Sequence, residues 1–145
     1  MRRVHRSAIV PYSAEDMFSL IDDVSAYPQF MPWCTGAEEL SRDEHEVLAT
    51  LELSKGGLAK RFTTRNTRKA PVQLDMDLID GPFRTLDGGW SLRPLGDEGC
   101  EIVLRVNFEF SSFLVDLAFG QFFESTCNSL VDAFIERAAD VYGGS

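Results

Sequence analysis

Histidine, the most common general base and metal ligand, occurs only twice in this 145-residue chain, as His5 and His45. His45 stands between Glu44 and Glu46, and His5 lies among Arg2, Arg3 and Arg6, so both read as solvated side chains. Neither has the neighbours that an activated nucleophile or a metal cluster requires. No phosphate-binding glycine loop, G-x-S-x-G elbow or H-E-x-x-H pair occurs. Cys34, Cys100 and Cys127 are too widely spaced for a C-x-x-C metal or redox motif and fit thiols in a reducing compartment. Asp75 and Asp77 form one carboxylate pair, but their spacing of two puts both on the strand face opposite Leu74 and Met76. A glycosidase pair would need a cleft there. The chain therefore reads as a binding protein, not an enzyme, with no metal site and no required cofactor.

The remaining chemistry is recognition. Thr64 and Asn66 lie beside Phe62, and Gln121 beside Phe122 and Phe123. An apolar surface with a few donors and acceptors is the pattern of a small-molecule pocket. Charge is also unevenly distributed. The chain carries 14 basic and 23 acidic residues, a net charge of −9, which excludes a nonspecific nucleic-acid coat and leaves DNA out as a partner. Yet Lys55, Lys60, Arg61, Arg65, Arg68 and Lys69 follow one another between Ser54 and Pro71 with no acidic residue among them. That segment is expected to form a basic face for RNA phosphate or anionic lipid.

The elements that must position these groups are legible from periodicity. After a strand over about 4–10, Ser13 caps a helix whose apolar stripe is Met17, Leu20, Ile21 and Val24. Pro28 and Pro32 restrict the following segment to a short turn or loop. From about 35 to 110 the period becomes two. Val47 to Leu53, Leu58 to Arg68, Val72 to Leu78, Leu86 to Leu92 and Cys100 to Phe110 each read as a strand with two distinct faces. Gly88 and Gly89 interrupt one strand, as a bulge or a close approach. One polar face per strand implies an antiparallel sheet with one wet side. A long helix is expected over about 113–141, its apolar stripe made of Leu114, Leu117, Ala118, Phe122, Leu130, Phe134 and Ala138, with Phe119 and Phe123 on its exposed side. No linker, repeat or compositional break divides residues 1–145, so a single α+β domain is expected. One helix cannot fully cover a strongly curved sheet, and the uncovered part should be a cavity.

Several segments together resemble one family: Val10-Pro11-Tyr12-Ser13-Ala14-Glu15, Tyr27 through Cys34, Phe62-Thr63-Thr64-Arg65-Asn66, Asp80-Gly81-Pro82-Phe83, Gly89-Trp90, Phe108-Glu109-Phe110, and Ala133-Phe134 through Arg137-Ala138. On these the chain resembles START-like proteins of the coenzyme Q-binding branch of the polyketide cyclase/dehydrase superfamily. The resemblance spans essentially the full length. It implies the helix-grip fold: a curved antiparallel sheet of about seven strands wrapped around a long C-terminal helix, with short N-terminal helices and a ligand held between sheet and helix. It implies ubiquinone or a related polyisoprenoid lipid as ligand, in support of respiration. A toxin branch of the same family implies instead association with the large ribosomal subunit, blocked subunit joining and reduced translation initiation. By position, Tyr27, Phe30, Met31 and Trp33 would form the cavity entrance. Phe62, Thr64, Asn66, Phe83 and Trp90 would supply the sheet side, and Leu117, Gln121 and Phe122 the helix side. With no apolar run of 18 residues and no signal-peptide core, the expected location is the cytoplasm, with peripheral contact at the inner membrane as a second expectation.

Overall fold

The computed structural model describes residues 2–143. Strand β1 (Arg2–Val10) leads into helix α1 (Ala14–Asp22) and a 3₁₀ turn (Val24–Gln29). Six strands follow: β2 (Cys34–Arg42), β3 (Glu46–Lys55), β4 (Leu58–Lys69), β5 (Gln73–Asp80), β6 (Phe83–Pro94) and β7 (Cys100–Phe110). The chain closes with the single turn α2 (Phe113–Val115), a π-helical segment (Asp116–Gly120) and the long helix α3 (Gln121–Tyr142). Ser13 caps α1, its hydroxyl accepting from the Asp16 amide at 3.1 Å.

The seven strands form one antiparallel sheet in the order β1-β7-β6-β5-β4-β3-β2. Register breaks in β2, β6 and the β4/β5 pair bend it. Every second residue points into the concave side. β7 is the clearest case, with Cys100, Ile102, Leu104, Val106, Phe108 and Phe110 all buried. The Gly88–Gly89 interruption is a close approach: paired register continues through both residues. A Cβ on Gly88 would stand 2.1 Å from the Arg105 carbonyl oxygen, and one on Gly89 2.6 Å from that of Leu74.

Helix α3 and the π segment before it lie in the concavity, with Phe119 of the π segment and Phe123, Cys127, Val131, Phe134 and Ala138 of α3 buried. This corrects the stripe expected from 3.6 periodicity. The π segment inserts an extra residue per turn and so changes the phase of the apolar face. Leu114 and Leu117 lie outward, 72% and 71% exposed. Phe119 joins the core through the π segment, and Phe123, about 20° from Phe134 at α-helical phase, is a core residue rather than part of an exposed side. Gly120 ends the segment for lack of space, since a Cβ would meet Asp116 Oδ1 at 2.6 Å and the Arg2 guanidinium at 2.9 Å. That guanidinium ties β1 to the helix by donating to Asp116 at 2.9 Å and Glu124 at 3.2 Å. Arg6 adds a bond to the Asn128 carbonyl at 2.6 Å. Among the described residues no helix is long and apolar enough to cross a membrane.

Candidate ligand cavity

Between the concave face and α3 lies an apolar cavity. Leu51, Leu53, Phe62, Leu74, Met76 and Trp90 line it from the sheet, and Phe123, Cys127, Leu130 and Phe134 from the helix. The space open to the centre of a water molecule is about 90 Å³, several times the roughly 10–15 Å³ that one water needs. It is smaller than the roughly 150 Å³ apolar cavity that takes benzene, so a ring would extend into the mouth and a folded isoprenoid chain would not be enclosed. Tyr27, Trp33, Leu51, Phe62 and Leu130 are only half-buried and mark where the cavity opens toward solvent.

Three buried polar side chains interrupt this apolar wall: Thr64 and Asn66 from β4, and Thr126 from α3. The Thr64 hydroxyl donates to the Asn66 side-chain oxygen at 2.8 Å. No lysine, arginine, glutamate or histidine lines the cavity, and Asp87 at its margin is exposed. Tyr27 spends its hydroxyl on the Ile21 carbonyl, and burial pushes its phenol far above the ordinary range. Burial likewise raises the Cys127 thiol and keeps it protonated, so it is no thiolate nucleophile at neutral pH. Among the described residues no group of His, Cys, Asp and Glu could hold a metal ion.

Of the residues expected at the site, Tyr27, Trp33, Phe62, Thr64, Asn66 and Trp90 line the cavity. Phe30, Met31 and Phe83 stand behind it. Phe30 packs edge-on to Phe134 with Arg137 over its ring, Met31 is fully buried, and Phe83 stacks on Phe110. Leu117, Gln121 and Phe122 do not reach the cavity. Leu117 and Gln121 are exposed, and Phe122 packs on Phe119 under the Lys55 ammonium. Leu117 lies in the π segment, whereas Gln121 and Phe122 lie within α3, where α-helical phase alone turns Phe122 about 120° away from Phe134. Leu130 and Phe134 were visible in the helical stripe. Thr126 and Cys127 were missed, because a threonine and a cysteine carry little periodic signal.

The basic segment does not form a single face either. Strand alternation sends Arg61, Arg65 and Lys69 to the convex side, whereas Lys60 and Arg68 share the concave parity of Phe62 and Asn66. Arg68 is engaged: it donates to Asp22 at 3.0 Å and to the Glu44 carbonyl at 2.8 Å, with its guanidinium over Phe18. On the convex side Arg61 faces Glu52 on β3 and Arg65 faces Asp77 on β5. Carboxylates from two neighbouring strands thus offset a charge that looks uncompensated along the chain.

A curved seven-stranded antiparallel sheet gripping a long C-terminal helix around an apolar cavity defines a START-like helix-grip protein. Residues 10–135 match the family model described as polyketide cyclase / dehydrase and lipid transport, and the chain belongs to that family. It is 46% identical over 143 residues to a ribosome association toxin RatA of Vibrio cholerae, covering 99% of both chains. It is 44% identical to the protein of that name in Escherichia coli, covering 98% of this chain and 90% of that one. A mitochondrial coenzyme Q-binding protein of Drosophila melanogaster is 32% identical over 94% of this chain and 60% of its own length. Among solved structures, an 18 kDa Caulobacter crescentus protein superposes with a TM-score of 0.76 at 30% identity, covering 99% and 100% of the two chains. A Streptomyces aromatase/cyclase reaches a TM-score of 0.80 at 16% identity, covering 99% and 98%, and shares the fold alone.

Proposed function

We propose that this chain is a non-catalytic binding protein whose cavity takes the head of a neutral, hydrophobic ligand of the ubiquinone or polyisoprenoid class, in support of respiration. The observation that carries this reading is an apolar cavity with no interior charge, opening beside Trp33 and Leu130. The 32% identity to a coenzyme Q-binding protein, over 94% of this chain and 60% of that one, supports it. A ring would occupy the void together with its mouth, and an isoprenoid tail would run outward along apolar side chains. Each CH₂ of tail covered there contributes about 0.8 kcal/mol, so a few isoprene units supply useful affinity with no reactive group.

A second reading, association with the large ribosomal subunit and inhibition of subunit joining, is favoured by 44–46% identity over nearly the whole chain to proteins named as ribosome association toxins. The two roles are compatible, because the cavity and the convex face are different surfaces. Protein purified from its native host, extracted with organic solvent and examined by mass spectrometry, should yield a quinone or related lipid in near-stoichiometric amount. An empty extract together with no quinone binding in titration overturns the first reading. Cosedimentation of the same preparation with large subunits tests the second.

A further inference from the structure

We infer that Asn66 and Thr126 form a hydrogen-bonding anchor that selects a ligand with an uncharged ring carbonyl. The inference rests on the cavity-binding reading and names the chemistry that the cavity prefers. Asn66 is 5% exposed and Thr126 6% exposed. The Thr64 hydroxyl occupies the Asn66 side-chain oxygen and so orients the amide, leaving its two N–H donors on the other side. Among the described residues nothing accepts from those donors, and nothing pairs with the Thr126 hydroxyl. Every fully enclosed side-chain nitrogen or oxygen among the described residues has a partner. The Asn66 amide nitrogen and the Thr126 hydroxyl must therefore touch open space, and the space that both residues line is the cavity.

The preference for a neutral carbonyl follows from the remaining lining. A carboxylate or phosphate would enter a space with no arginine, lysine or histidine to offset its lost hydration. A pure hydrocarbon would cover the amide donors and leave them unpaired, which is costly. A ring carbonyl satisfies the amide while its carbon frame packs on Trp90, Phe62 and Phe134.

Calorimetric titration with a ubiquinone of one or two isoprene units, and with an alkylbenzene of matching size that lacks oxygen, tests this. Asn66→Leu should weaken quinone binding at least tenfold and the near-isosteric Thr126→Val severalfold, with alkylbenzene affinity unchanged or increased. If both variants bind the quinone within twofold of wild type, the inference is overturned. Should Asn66→Leu fail to fold by circular dichroism, Thr126→Val decides alone on the same criterion. A wild-type protein that binds alkylbenzene but not quinone overturns the inference and leaves the cavity-binding reading standing. Binding of neither probe overturns both.

Discussion

Arg2 and Asp116 are 114 residues apart in sequence, yet the guanidinium donates to the carboxylate at 2.9 Å and joins the first strand to the start of the last helix. That hydrogen bond holds the Asp116 carboxyl below its ordinary range. A carboxyl with a lowered folded pKa binds fewer protons in the native state. Its contribution to stability is therefore present above the unfolded value of about 3.9 and is lost as pH falls through the lower folded value. Urea unfolding should show Asp116→Asn destabilised relative to wild type at pH 6, with the gap narrowing toward pH 3. A gap constant across that range contradicts the linkage. At this scale the sheet side of the site was legible. Phe62, Thr64, Asn66 and Trp90 obey strict alternation, and a strand offers only two faces. Met31 and Phe83 were placed one layer too far forward, since residue type alone does not separate a lining aromatic from the one that supports it.

Helical elements were harder to read than strands, because an apolar stripe spans a wide arc of a helix and residue type alone does not fix its centre. The π turn at Asp116–Gly120 changes the phase ahead of α3 and brings Phe119 to the core, whereas within α3 Phe122 misses the core by helical phase alone, about 120° from Phe134 where Phe123 is about 20° away. The α3 face itself is demanding. Phe134 is 1% exposed and meets Tyr27, Phe30 and Trp90 edge-on. Phe134→Ala should cost about 3–5 kcal/mol in urea unfolding, and a loss under 1 kcal/mol would show that the helix is not gripped there. In the sheet, Gly88→Ala forces β6 away from the β7 backbone, which a Cβ would approach to 2.1 Å. A loss of at least the roughly 1–3 kcal/mol of an overpacked core follows, and an unchanged unfolding midpoint would contradict the close approach.

For the whole molecule, the net charge of −9 and the strand order together redefine the basic segment. Counting along the chain treats six cations as one patch. The sheet leaves Arg61, Arg65 and Lys69 outward, flanked by Glu52 and Asp77. If that face meets ribosomal RNA, three phosphate contacts limit the slope of log affinity against log salt to roughly −2 to −3. Cosedimentation across a salt series should show this, and reversing all three charges should abolish it. A much steeper slope places the contact on another surface. The cavity depends on none of these charges. Both tryptophans of the chain, Trp33 and Trp90, line it and report its occupancy directly. The most direct measurement is therefore a tryptophan-fluorescence titration of wild type and Cys127→Phe with short-tailed ubiquinone, since the added ring fills the space beside Thr126. Wild type should quench saturably and Cys127→Phe should not, with both giving the same circular dichroism spectrum. Equal saturable quenching in the two proteins would contradict the cavity as the ligand site.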